Sequence, residues 1–306
     1  MPGLKKIEEL VAGFASRTPI RAGSLIVTLF GDSVSQHGDS VWLGSLIRVL
    51  DGFGLNPRQI RTAVFRLGQE DWLYARQVGR RSYYSLTDNG GRQYARAARR
   101  IYAGHRPKWD GVWTVVIPAF VYDADRETLR RDLLWQGYGQ LAPGIFAHPA
   151  GDRRSLDEAL QEQGVSDKVI VLRADVTDPA SRDALAQLSR DRWGLDAIAD
   201  RYLRFLDLFE PILKAVSAAR TLGAEQCFQV RTLLIHEYRR IILHDADLPQ
   251  ELLPGGWPGQ RAAELTAELY RAVHRPAMNF VLRRMENEKG ALPEAGKEYF
   301  SRFGGL

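Results

Sequence analysis

Apolar positions recur at helical spacing most regularly between Asn56 and Gln69. At about 100° per residue, Ile60, Ala63, Val64 and Leu67 fall on one face. Arg58, Thr62, Phe65 and Gln69 gather opposite them, flanked by Arg61 and Arg66. Asn56 offers an N-cap oxygen, and Pro57 takes the first helical position, where its missing N–H costs nothing. Two shorter apolar runs precede this helix: SLIVTLF (24–30), stopped at Gly31, and VWLGSLIRVL (41–50), ended by the Gly52-Phe53-Gly54 turn. Both predict helices. After it the pattern turns to strand. Trp72 to Tyr74 begins one, Val78-Gly79 supplies a turn, and Ser82 to Leu86 returns as its partner. Thr87 then caps a fourth helix, with Asp88 in its favourable first turn. Three helices, a hairpin whose tip is surrounded by Arg76, Arg80 and Arg81, then a helix is the order of a winged helix-turn-helix over residues 22–104.

Residues 109–180 alternate differently. A strand over Val112–Ile117 leads to an amphipathic helix over Asp125–Gln136, with Leu129, Leu133 and Leu134 inward. Two short extended pieces broken at Pro143-Gly144, a helix near Ser155–Gln163 and a strand over Val169–Leu172 complete a βαββαβ order. That order predicts a ferredoxin-like domain, which fixes no function; dimerisation is the job expected of it here. Residues 183–285 read as mainly helical: about Leu195–Ala219, interrupted at Pro211, about Ala224–Leu243, and about Arg261–His274. Their apolar stripes read as core. A Gly- and Pro-bearing tail, 286–306, closes a multidomain α+β chain.

Charge adds to this picture. The 306 residues carry a net charge of +5, unevenly placed. Residues 1–107 hold 16 Lys and Arg against 8 Asp and Glu, whereas the remaining 199 hold 26 against 29. The excess sits where a polyanion would be met. Arg pairs bidentately with guanine, Gln with adenine, and Thr reaches bases or phosphates, so the front of the Asn56–Gln69 helix suits the major groove. A merely solvated face is the plainer reading of one such helix alone. Phe65 counts against that reading, because an exposed aromatic needs a contact: a thymine methyl, or the underside of the hairpin. The stripe of Arg92, Arg96, Arg99 and Arg100 on the fourth helix reads as a solvated linker face.

Other chemistry is sparse. The single cysteine, Cys227, allows no intramolecular disulfide and reads as a small core residue. No apolar run reaches the length of about 18 residues that a membrane span needs, and the N-terminus has no secretory pattern, so a cytoplasmic protein is expected. His37, His105, His148, His236, His244 and His274 are scattered, and the stretch from His236 to Arg240 lacks the second histidine of a zinc protease helix. There is no phosphate loop, dinucleotide glycine pattern or nucleophile elbow. No catalytic residue, metal site or cofactor is expected.

Several blocks resemble one family in order along almost the whole chain. They are GSLIVTLFGD (23–32), WLGSLIRVL (42–50), RTAVFRL (61–67), GRRSYYSLTDNG (79–90), WDGVW (109–113), LLWQGYGQLAPG (133–144), LLIHEYRR (233–240), LPQELLP (248–254) and YFSRFGGL (299–306). They resemble the PaaX family, repressors of phenylacetic acid degradation operons. The resemblance implies a winged helix domain, a central ferredoxin-like domain similar to small CRISPR-associated proteins, and a family-specific helical domain. It also implies a homodimer on palindromic double-stranded operator DNA, released by phenylacetyl-CoA or another aryl-CoA thioester. Carried over, the recognition helix is Asn56–Gln69 and the wing is Arg76–Ser82. The DNA-contacting candidates are therefore Arg58, Arg61, Thr62, Phe65, Arg66, Gln69, Arg76, Arg80, Arg81 and Ser82.

A CoA thioester presents phosphates and an aryl group, so it wants cations beside an aromatic cavity. Trp193, His236, Tyr238, Arg239 and Arg240 are the candidates for that effector site. Two other readings compete. The CRISPR relatives of the central domain are metal-dependent nucleases with an aspartate at the end of their first strand; here that strand ends Val116-Ile117-Pro118. A protein-binding scaffold is the other, and the Arg-rich helix and wing argue against it.

Overall fold

The computed structural model describes residues 2–17, 22–103, 109–176, 178–219 and 221–306. Residues 104 and 105, where the first section was expected to end and where His105 stands, lie outside these. In chain order, α1 (Pro2–Ala15), α2 (Ala22–Asp32), β1 (Ser40–Trp42), α3 (Leu43–Asp51), α4 (Pro57–Gln69), β2 (Leu73–Val78), β3 (Arg81–Leu86) and α5 (Asp88–Ile101) come first. Next are β4 (Val112–Ile117), α6 (Asp123–Trp135), β5 (Gly139–Ala142), β6 (Ile145–His148), α7 (Arg153–Glu162), β7 (Ile170–Asp175) and α8 (Pro179–Trp193). Last are α9 (Leu195–Ala218), α10 (Ala224–Ile242), α11 (Pro258–Arg284), the hairpin β8 (Glu286–Asn287) with β9 (Gly290–Ala291), and α12 (Lys297–Phe300).

The chain forms two compact units. One holds residues 1–105, 204–239 and 260–306; the other holds 106–203 and 240–259. The helical C-terminal section expected over 183–285 is thus not a body of its own, and α9, α10 and α11 each carry the chain from one unit to the other.

In the first unit, α2, α3 and α4 form the helix-turn-helix, and β1, β3 and β2 lie antiparallel in that order. Val41, read from sequence as helical, belongs to β1, where it is buried opposite Tyr84. The strand takes it because an apolar residue between Ser40 and Trp42 fits the alternation of a sheet edge as well as a first helical turn. α1 was not foreseen; Ile7, Leu10 and Phe14 bury one stripe of it.

Pro211 does not interrupt α9, nor Pro276 α11. An interior proline costs ~3 kcal/mol. Against this, Phe209, Ile212 and Val216 flank the first, and Val273, Ala277 and Val281 the second, all buried. Burying each large side chain contributes about 1.5–3 kcal/mol, enough together to hold the helix through the missing bond.

The expected tail is instead part of this unit's core. Asp32 ends α2, where the helix dipole disfavours a carboxylate. It is fully buried, and Arg231 Nε lies 3.0 Å away and Arg302 Nη1 2.9 Å away. The Tyr102 and Tyr270 hydroxyls donate to Asp32 Oδ1 at 2.7 and 2.9 Å. Arg302 also lies over the Tyr102 ring, its guanidinium carbon 4.0 Å from the centroid. Phe303 takes a left-handed backbone (φ 54°), held by its amide bond to Tyr102 O and its ring against Tyr102 and Tyr270.

In the second unit, β5-β6-β4-β7 form an antiparallel sheet whose βαββαβ connections give the ferredoxin-like fold. Val116, Phe146, Leu129, Leu133, Leu156 and Leu160 fill the space beneath α6 and α7. On the opposite sheet face Trp193 covers β5: a Cβ on Gly139 would stand 2.4 Å from its ring.

Replacing Asp32 with Asn leaves two buried guanidiniums without their counter-charge, and about 3–5 kcal/mol of stability is expected to go. Urea unfolding measures it. Arg302→Met, which leaves Asp32 paired with Arg231, is expected to cost less.

Candidate nucleic-acid interface

The presentation of α4 begins at its N-terminus. Asn56 Oδ1 accepts from the Gln59 amide and Gln59 Oε1 accepts from the Asn56 amide, each at 2.9 Å, a reciprocal capping box. Ile60, Ala63, Val64 and Leu67 are buried beneath the helix, as its periodicity demands. Arg58, Arg61, Thr62, Phe65, Arg66 and Gln69 are all exposed. Phe65 is 67% exposed, so it does not tuck beneath the hairpin. The structure therefore brings the six predicted residues to one open surface. A cleft of about 350 Å³ behind α3 and another of about 530 Å³ beside α4 open on this unit; the second is lined by Arg58, Thr62 and Arg66.

The wing is a two-residue hairpin, with Val78 paired to Arg81. Gly79 takes positive φ at the first loop position, the type II′ pattern that matches strand twist. Arg80 is exposed at the tip and Ser82 is half-buried. Arg76 and Arg81 differ from the other arginines of this surface. Arg76 pairs with Glu288, and Arg81 Nη1 lies 3.1 Å from Glu286 Oε2, both carboxylates belonging to the β8–β9 hairpin. Arg81 also lies 4.3 Å over the Trp42 ring. Bonds to Tyr83 and Glu286 raise its guanidinium pKa further above its ordinary value. By contrast, Arg58, Arg61, Arg66 and Arg80 have no ion pair among the described residues. The acidic partners escaped sequence reasoning because they lie more than 200 positions downstream.

The five effector candidates fall in both units. His236, Tyr238 and Arg239 belong to the first, Trp193 and Arg240 to the second. His236 is buried, its Nδ1 3.1 Å from Thr28 Oγ1; that hydroxyl already donates to Ser24 O, so the ring nitrogen donates to it. Tyr238 is buried against Phe205. Trp193 donates from Nε1 to Gly137 O at 2.7 Å. The Arg240 carbonyl accepts from Arg201, and Arg239 is half-buried. Packing within each unit accounts for His236, Tyr238 and Trp193.

Comparison with known proteins follows these outlines. Residues 21–90 match the family described as PaaX-like protein, 106–186 the PaaX protein central Cas2-like domain, and 193–283 the PaaX-like protein C-terminal domain. A relative from Escherichia coli (strain K12), Transcriptional repressor PaaX, is 38% identical over 99% of this chain and 96% of its own. The chain belongs to the PaaX family. A solved structure, protein Rv0674 from Mycobacterium tuberculosis, superposes with a TM-score of 0.51 over 83% of this chain and 96% of that one. At 22% identity that likeness speaks for the fold alone. No helix among the described residues is long and apolar enough to cross a membrane.

The two faces of α4 separate stability from surface chemistry in this PaaX family member. Phe65→Ala is expected to move stability by no more than about 0.5 kcal/mol, whereas Ile60→Ala should cost about 2–5 kcal/mol. Thermal or urea unfolding of the two variants checks the assignment.

Proposed function

We propose that this chain is a transcriptional repressor, not an enzyme, that reads operator DNA with α4 and grips its backbone with the β2–β3 wing. The observation that carries this reading is the exposed α4 front. Arg58, Arg61 and Arg66 stand beside Thr62, Phe65 and Gln69 with no carboxylate paired to any of the three arginines among the described residues. The name of the Escherichia coli relative supports repression. The family likeness supports a phenylacetate catabolic operon as target and an aryl-CoA thioester such as phenylacetyl-CoA as the releasing effector. Release is a coupling of binding equilibria: the thioester binds the low-affinity conformation better, and DNA opposes the thioester by the same factor.

Arg61→Ala or Arg66→Ala is expected to weaken operator binding by about 1–3 kcal/mol and to spare random DNA, as base contacts do. Arg80→Ala should weaken both and reduce the slope of log K against log salt by about 1. Gel-shift titration on promoter DNA of a phenylacetate operon, with and without phenylacetyl-CoA and free phenylacetate, tests the whole reading. Release by the thioester alone supports it, and absence of sequence-selective binding overturns it. A nuclease reading of the central domain is not favoured: β4 runs into Ile117-Pro118, and no group of three metal-ligating side chains gathers among the described residues.

The homodimer is assigned to the central sheet. Cross-strand partners share a face, so Val115 and Ile117 lie beside Leu172 and Ile170 on the side away from α6 and α7. Ile170 and Leu172 are 44% and 46% exposed on the edge strand β7. An apolar patch on a sheet edge is what a second copy would cover. Leu172→Glu is expected to shift the protein to monomers in sedimentation velocity; an unchanged dimer would move the interface elsewhere.

A further inference from the structure

The β8–β9 hairpin places two carboxylates against the wing of the same unit. β8 lies along β1, and its Glu286 amide donates to Ser45 Oγ at 3.2 Å. Glu286 accepts from two guanidiniums, Arg48 Nη2 at 2.9 Å through Oε1 and Arg81 Nη1 at 3.1 Å through Oε2. Glu288 pairs with Arg76 through one oxygen and accepts from Ser40 Oγ at 2.9 Å through the other. A bond from its own backbone N–H, with the Ser40 bond and the Arg76 charge, holds the Glu288 carboxyl below its ordinary range, so it stays ionised at neutral pH. Neither pair is sealed from solvent. The Arg76 and Arg81 side chains are 57% and 49% exposed, open to another anion from outside.

A carboxylate presents to a guanidinium the same paired oxygens that a phosphodiester does. The contrast on this surface is therefore informative. The α4 arginines and Arg80 carry no internal anion among the described residues, while two of the three wing arginines do. We propose that Glu286 and Glu288 are an internal stand-in for DNA phosphate: they occupy Arg76 and Arg81 in the free protein and must be displaced when the wing meets the backbone. The hairpin thereby sets how strongly the protein adheres to DNA of any sequence, leaving Arg80 and α4 as the charges open to first encounter. This rests on the DNA-binding reading above.

The test is E286Q/E288Q in the full chain, compared with the unaltered protein by fluorescence anisotropy on a random-sequence duplex and on promoter DNA, across a salt series. Each added phosphate contact steepens log K against log salt by about 0.9, so two freed arginines should steepen it by about 1–2. Affinity for the random duplex should rise roughly tenfold at low salt. Adding R76Q and R81Q to the same variant should remove the gain, which a general change in folding would not do. If the unaltered protein binds DNA and E286Q/E288Q binds no better, or worse, the hairpin does not compete with phosphate and the inference falls alone. If neither protein binds any duplex, the DNA-binding reading falls and takes the inference with it.

Discussion

Asp32 is the constraint on which the first unit is organised. A carboxylate at the C-terminal end of α2 is disfavoured by the helix dipole and, buried, would not remain ionised without cations. It receives two, from α10 and from the chain's last residues, together with hydroxyls from the end of α5 and from α11. Such a group is weak evidence of net stability, because desolvating three charges costs several kcal/mol for each. Its weight lies in specificity: only one arrangement of α2, α5, α10, α11 and the C-terminus satisfies it. The helix-turn-helix is therefore built into a larger unit, with its first helix pinned from outside the motif.

That explains which parts of the fold were legible in sequence. The α4 face, its Asn56 cap and the Thr87 cap are local patterns, and the structure repeats them. The βαββαβ order was equally readable, since alternation and turn residues announce each element within ten positions. What escaped has long-range causes. The tail read as loop because Gly and Pro punctuate it, and nothing near it in sequence shows that Arg302 belongs beside Asp32, 270 positions away. Pro211 and Pro276 read as breaks, because the burial that carries the helices through them is tertiary.

The interface divides in the same way. The residues of α4 that face solvent follow from helical period alone, so all six candidates were visible. The wing arginines were visible as residues but not as partners. Composition counted Arg76, Arg80 and Arg81 as one positive cluster, whereas the fold neutralises two of them with carboxylates from a distant hairpin. The effector candidates illustrate the opposite error. Trp193, His236 and Tyr238 have ligand-binding chemistry in sequence, yet within their units they are occupied by Gly137, Thr28 and Phe205.

The hairpin's placement cannot come from its own ion pairs. Half-exposed pairs contribute about 0–1 kcal/mol each, too little to hold a segment in register. The anchors are buried and lie on either side. Met285, just before Glu286, and Asn287 between the two glutamates are buried. Beyond the hairpin, His37 Nδ1 donates to Pro293 O at 2.8 Å, the Gly296 amide donates to Gln36 O at 3.2 Å, and Arg302 closes on Asp32. A segment fastened on both sides keeps its carboxylates at the wing whether or not any one pair is formed. Exchanging a carboxylate for a phosphate then costs little folding stability, while the displaced carboxylate stays close enough to compete again. Weak pairs on a strongly anchored hairpin are thus suited to competition, because their affinity and their position are set by different interactions.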